Sequence, residues 1–143
     1  MLQVSYLAII VAALVQFFLG ALWYSPIMFG KLWAEIMEMT HMSKADLEKM
    51  QKEMMPAYLA QFFTGLLFIF ILANFIAVAK LANIGAHAFG VAGWVWLGFV
   101  LPIQIGGVIW SQTKKKFWLK QIFVASGYQL VSMMIAAGIL SVL

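Results

Sequence analysis

The spacing of the charged residues constrains this chain more than any other feature. Its nine lysines and five acidic residues form one cluster from Lys31 to Glu53 and a second from Lys114 to Lys120, with Lys80 alone between them. Each uncharged stretch that remains exceeds the roughly 20 residues with which a helix crosses about 30 Å of hydrocarbon. These stretches are 1–30, 54–79, 81–113 and 121–143.

The composition agrees with a membrane protein. Hydrophobic residues make up 65% of the chain and charged residues 10%, with a mean hydropathy of +0.99, far from the roughly 25% charged residues of a soluble domain. Backbone groups in lipid must be bonded internally, and runs without alternating polarity favour helices over a barrel. The sequence therefore predicts an all-α polytopic membrane protein, a single domain over 1–143, with the first stretch retained as a helix. The predicted transmembrane helices are about 4–24, 56–79, 88–110 and 121–142.

The lysines also predict an orientation. Four spans put both termini on one side, where only Lys80 lies, whereas eight lysines lie in the two loops on the other side. The positive-inside rule then places those loops in the cytoplasm and both termini outside. We expect Lys114, Lys115 and Lys116 to contact anionic lipid headgroups. Nucleic acid is not an expected partner, because the chain has no Arg and no soluble basic face.

The segment after the first span, residues 26–55, predicts amphipathic structure on the cytoplasmic side. Ser25 and Pro26 resemble an N-cap and a first helical residue. From there the apolar residues recur at helical spacing, which indicates an interfacial helix with Phe29 and Trp33 as its membrane anchors. A second short helix should start at Ser43, with Asp46 three residues later. The alternatives are a solvated loop and a Met-rich docking surface.

Several motifs resemble a known family. Residues 20–33 read GALWYSPIMFGKLW, and the runs WLGF at 96–99, FVASGYQLV at 123–131 and GIL at 138–140 follow in the same order. Together they resemble the domain of unknown function 1761 family, small bacterial membrane proteins. The resemblance covers most of the chain outside the Met-rich loop. It implies four membrane helices and no established activity.

Spans one and three also resemble each other, as do spans two and four. In spans one and three, Leu19-Gly20 corresponds to Leu97-Gly98, and the segment Pro26 to Trp33 corresponds to Pro102 to Trp110. In spans two and four, a similar run begins at Gln61 and at Gln121. Such a pattern fits a duplicated helical hairpin about an axis along the membrane normal. The alternative is shared membrane composition.

Polar side chains inside the spans are the candidate site. A primary amide in hydrocarbon needs a partner, and an interhelical hydrogen bond there contributes about 0.6–2 kcal/mol. We therefore expect a polar layer that points into the bundle. Pro102 cannot donate to the carbonyl of Gly98, which predicts a kink with a free carbonyl at these two residues. The candidate layer consists of Gln16, Gln61, Gln104, Gln129, Tyr24 and Tyr128, with Ser132 beside it. These groups fit either polar clamps between helices or a solute-binding site.

The residue types exclude several chemistries. No acidic or basic side chain lies within a predicted span, which argues against proton-coupled transport and intramembrane aspartyl proteolysis. With no Cys and two separated His, no cofactor or metal site is expected. Ser126 lies in a VASG turn similar to that of rhomboid-like proteases, but His87 is predicted at the other membrane surface, so no base can reach the hydroxyl. We expect no enzyme activity.

Two function classes stay open. The first is a structural or accessory helix-bundle subunit that self-associates, or docks on a larger membrane complex, through faces of small residues. The second is a passive pore or carrier for a small neutral solute, lined by the Gln and Tyr side chains. A cavity touching Gln16, Gln104 and Gln129 would favour the second class, and a dry, close-packed bundle would favour the first.

Overall fold

The computed structural model describes residues 3–84 and 87–143, and all regular structure in these two ranges is helical. Four helical segments are long and apolar enough to cross a membrane, as the charge spacing predicted: Tyr6–Trp23, Met55–Leu81, Ala88–Ile109 and Lys115–Val142. The elements in chain order are α1 (Tyr6–Trp23), α2 (Gly30–Ile36), α3 (Lys44–Glu53), α4 (Met55–Leu81), α5 (Ala88–Val95), a π-helical turn (Trp96–Val100), α6 (Leu101–Ile109), a 3-10 turn (Lys115–Phe117) and α7 (Trp118–Val142).

Helix α7 lies at the centre of the bundle. It packs along α1 on one side and along α5, the π turn and α6 on the other, while α1 also packs on α4. The core between these helices is rich in small residues, which let the backbones approach closely. It comprises Ile9, Ala12 and Ala13 of α1, Ile69 and Leu72 of α4, Ala92 of α5, and Met133, Ala136 and Ala137 of α7.

The bundle has two chemically different ends. One end carries α2, α3 and the loop before α7, and we call it the basic end. It holds every charged side chain of the protein except Lys80. The other, which we call the terminal end, holds the start of α1, the end of α4, the start of α5 and the end of α7. Lys80 is the charged side chain at the terminal end.

The segment after α1 differs in part from its prediction. Ser25 does not cap a helix, since its hydroxyl donates to the Leu22 carbonyl at 2.6 Å. A tight turn follows, and α2 starts only at Gly30, where an added Cβ would lie 2.6 Å from backbone atoms of Ser25. Glycine therefore fits this turn, and the chain closes there before a helix can begin. The second short helix is confirmed as α3: Ser43 caps it by accepting a hydrogen bond from the backbone N–H of Asp46 at 3.2 Å.

The third span, α5 to α6, departs from regular α-helix. In its π turn the N–H of Leu101 donates to the carbonyl of Trp96, five residues back. Gly98 lies inside this turn and Pro102 follows it directly. A π turn is a known way to place a proline in a helix, because it adds one residue where the regular bond is missing.

The two predicted hairpins, spans one and two and spans three and four, do not make equivalent contacts. Helix α1 packs on α7, whereas the equivalent contact between α4 and the third span involves only α5, at the terminal end. The duplicated hairpin therefore stays a prediction. The third span sits at an edge of the bundle.

Candidate functional site

The most buried amide side chain in the described bundle core is that of Gln16. It is 6% exposed and lies between α1, α4 and α7. Its Nε2 donates to the hydroxyl of Ser132 at 3.5 Å, the outer limit of a hydrogen bond. Its Oε1 has no donor among the described residues, and a Cβ added at Gly65 of α4 would lie 3.2 Å from that oxygen. The amide is thus enclosed but only half bonded.

Tyr128 joins the same part of the bundle from α7. Its hydroxyl donates to the backbone carbonyl of Gln16 at 2.9 Å, and the residue is buried. The Tyr24 ring lies 5.8 Å from the Tyr128 ring, centroid to centroid. The structure therefore brings Gln16, Tyr24 and Tyr128 of the predicted layer together, with Ser132 beside them.

A tryptophan forms a further hydrogen bond between α1 and α7. The indole N–H of Trp23 donates to the Val124 carbonyl at 3.0 Å, and both residues are buried. The ring packs beside Gly127, where an added Cβ would lie 3.4 Å from Trp23 Cζ2, an ordinary van der Waals distance. A carbonyl has two lone pairs, so it can accept this bond in addition to a helical one.

A second tryptophan holds the other side of α7. The indole N–H of Trp96, in the π turn, donates to the Ser126 carbonyl at 2.8 Å. The hydroxyl of Ser126 donates back to the Ile122 carbonyl within the helix. Together, the two indoles bind neighbouring carbonyls of α7 from α1 and from the third span. We call Trp23, Trp96, Val124 and Ser126 the indole clamp.

Sequence reasoning missed the indole clamp. It selected amides because they are the obvious polar side chains in an apolar helix. The signal was present, since a tryptophan within a span carries an N–H that must find an acceptor, and Trp23 and Trp96 both lie in the motifs that suggested the family.

The remaining amides of the predicted layer do not join the group. The carbonyl of Gln129, and not its side chain, accepts from Ser132 at 3.1 Å. Gln104 is half-buried on α6. Gln61 is exposed, contrary to the expected inward direction, as are all residues from 51 to 60 before it.

The two expected membrane anchors contact the bundle. The ring centroid of Phe29 lies 4.7 Å from that of Trp23, and the ring of Trp33 lies 5.0 Å from that of Tyr24. Both side chains are half-buried, and Ile36 of the same helix is buried. The apolar face of α2 therefore packs on protein where contact with headgroups was expected. Lipid contact by the rest of α2 stays a prediction.

At the basic end, one ion pair joins the two loops. Lys114 pairs with Glu38, which holds the pKa of the Glu38 carboxyl below its usual range through that hydrogen bond and charge. Glu38 has a φ of 57°, a left-handed conformation that is unfavourable for most residues other than glycine. Lys115 and Lys116 lie over the rings of Trp118 and Phe117 at 5.9 and 4.9 Å.

The site offers packing and polar contacts, and its groups suit no metal ion. Within the two described ranges, no three His, Cys, Asp or Glu side chains come together in a group that could hold a metal. The Ser126 hydroxyl is engaged by its own helix, and His87 is at the terminal end, before α5.

The residues that suggested a family therefore meet in the structure, since Trp23, Trp96 and Tyr128 all bond between helices. The family model described as "Protein of unknown function (DUF1761)" matches residues 7–141, nearly the whole chain. The chain belongs to the DUF1761 family. No curated protein and no solved structure matches it. In this DUF1761 member, the family motifs thus lie where α1 and the third span form hydrogen bonds to α7. The family description assigns these motifs no activity.

Proposed function

We propose that this DUF1761 protein is a structural or accessory membrane subunit that associates with a second copy of itself through the outward face of the third span. The observation that carries the proposal is the exposure of that span. Only 6% of its apolar window is buried in the monomer, compared with 33% for the first span and 39% for the fourth.

The backbone of this face supports the proposal. Pro102 has no backbone N–H to donate. In an α-helical pattern its missing bond would have gone to the carbonyl of Gly98, and in a π-helical pattern to the carbonyl of Leu97. Both of these residues are exposed near the middle of the span. In hydrocarbon an unbonded carbonyl is costly, and lipid tails supply no donor. A protein partner on this face can supply one.

The shape of the face suits close approach of another helix. Cβ atoms added at Gly90, Gly98 and Gly107 would meet nothing within 4 Å. Small residues of this kind let two membrane helices pack backbone to backbone. In a dimer with a two-fold axis along the membrane normal, the same face of each copy packs against that of the other. This arrangement favours a homodimer.

Cysteine cross-linking in native membranes tests the proposal, because the natural chain has no Cys. We expect Gly98→Cys and Gly107→Cys to give disulfide dimers on mild oxidation, since the same residue from two copies would meet near the axis within the 7 Å that a disulfide allows. Leu67→Cys, on an exposed part of α4, is the matched control and should stay monomeric. Equal cross-linking at position 67, no dimers at 98 and 107, or cross-links only to a different protein would each contradict self-association.

The solute-carrier alternative receives no support from the cavities. One, of about 350 Å³, lies at the terminal end, and another, of about 340 Å³, lies between α3 and the start of α4. Neither is lined by Gln16, Gln104 or Gln129. If single-channel recordings or liposome flux assays nevertheless revealed passage of a neutral solute, the subunit proposal would be wrong.

We further propose that the basic end faces the cytoplasm of a bacterial inner membrane and contacts anionic headgroups through Lys115 and Lys116. Lys114 is less available for lipid, because Glu38 pairs with it. A membrane-impermeant thiol reagent applied from outside should label Leu143→Cys and spare Lys115→Cys. The reverse labelling would overturn the orientation.

A further inference from the structure

The cavity at the terminal end brings together polar side chains from three helix ends. Its volume is about 350 Å³. Lys80 and Asn83 reach it from the end of α4, His87 from the start of α5, and Ser141 from the end of α7. Ile76 and Leu140 form its apolar part.

Lys80 gives this cavity a positive charge that the protein does not neutralise. All five acidic side chains lie between Glu35 and Glu53, at the basic end. Over residues 3–84 and 87–143, the single ion pair is that of Glu38 with Lys114. The Lys80 side chain is exposed, so an anion from outside the chain can reach its ammonium group and is attracted by its charge.

Two neighbouring features favour an anion further. Ala88, the first residue of α5, also lines the cavity, so the free N–H groups of the first turn lie beside it. The Asn83 amide and the His87 imidazole add hydrogen-bond donors within the same lining. The positive charge of Lys80 and these donors suit a phosphate group better than a cation.

We propose that the terminal-end cavity binds a phosphate group, with Lys80 as its counter-ion and Asn83 and His87 as further donors. Two sources share this chemistry. The mixed lining fits a phospholipid headgroup whose glycerol and first acyl carbons lie on Ile76 and Leu140, and it also admits free phosphate. This inference does not depend on self-association.

The test uses the only two histidines of the chain, His41 and His87. Their imidazole NMR signals report on opposite ends of the protein, so His41 is an internal control. The purified full chain is kept in dodecyl maltoside, which contains no phosphate, and is titrated separately with dihexanoyl phosphatidylglycerol and with inorganic phosphate.

We expect a saturable shift of the His87 signal that depends on Lys80, whereas any shift of His41 would report lipid at the basic end and should not depend on Lys80. Lys80→Gln should weaken that binding at least tenfold, as loss of a charge-assisted hydrogen bond implies, while Lys80→Arg should restore most of it. Lys31→Gln, an exposed lysine on α2, is the matched control and should change nothing at His87. A response to phosphatidylglycerol alone identifies a lipid headgroup, and an equal response to inorganic phosphate identifies a free anion. The proposal is overturned if neither compound moves the His87 signal, or if Lys80→Gln leaves both curves unchanged.

Discussion

Replacing Gln16 with Met should not destabilise the bundle, although it removes the most buried amide of its core. Met has nearly the same length and volume, and it has no polar group that needs a partner. The change removes one hydrogen bond, from Nε2 to Ser132 at 3.5 Å. It also removes an enclosed Oε1 that has no donor among the described residues.

The magnitude follows from these two contributions. An interhelical hydrogen bond in a membrane contributes about 0.6 kcal/mol on average, and this one is at the limit of bonding distance. An unsatisfied buried polar atom costs about 1–3 kcal/mol. We therefore expect Gln16→Met to change the unfolding free energy by between zero and about 2 kcal/mol in favour of the variant.

The assay is reversible unfolding in mixed micelles by titration with SDS, followed by tryptophan fluorescence. Ser132→Ala is the paired variant. In the natural chain it should cost about 0.5–1.5 kcal/mol, because it leaves Nε2 unbonded too, and in the Gln16→Met background it should cost less. A loss of more than about 1 kcal/mol for Gln16→Met would show that the amide bonds more strongly than its geometry indicates, and the reasoning would be refuted.

Three other variants test separate contacts. Trp23→Phe should cost about 1–2 kcal/mol of unfolding free energy in the same assay because it removes the indole bond to α7, whereas Trp94→Phe, at an indole that is 73% exposed, should be within about 0.5 kcal/mol of the natural chain. Gly30→Ala should cost about 1–3 kcal/mol and expose the turn before α2 to limited proteolysis, since the added methyl would overlap backbone atoms. The Glu38–Lys114 pair should link the two loops above the usual Glu titration range and release them as pH falls through the lowered pKa of Glu38. Distances between spin labels on the two loops should therefore be short in the natural chain at neutral pH and longer in acid. In Glu38→Gln they should already be longer at neutral pH.

The sequence was sufficient to predict the number of membrane-capable helices because one physical rule dominates their placement. Charged side chains avoid hydrocarbon, so Lys80 and the two clusters divide the chain wherever it can reach water. The predicted helix at 56–79 lies within the observed Met55–Leu81, and that at 88–110 is close to Ala88–Ile109. Local capping was also readable at Ser43, where the bond involves residues three apart.

Contacts between distant residues could not be read in the same way. The start of α2 depends on how closely Gly30 approaches the backbone of Ser25, and a Ser-Pro pair gives no sign of that approach. The inward or outward direction of Gln61 depends on where α4 has neighbours. Apolar periodicity did not settle it, because residues that face lipid and residues that face the core are equally hydrophobic in a membrane helix.

The geometry of Gln16 and of the indole clamp indicates which contacts fix the orientation of α7. In a membrane the hydrophobic effect does not drive helices together, so close packing and directional polar bonds must set their relative rotation. The amide cannot set it alone, because its one bond is long and its oxygen has no donor among the residues that the structure describes. The two indole bonds are short, at 3.0 and 2.8 Å, and they reach carbonyls only two residues apart from different neighbouring helices. Rotation of α7 would break both bonds at once. Trp23 and Trp96 therefore determine the packing of this bundle, and the polar layer adds to it.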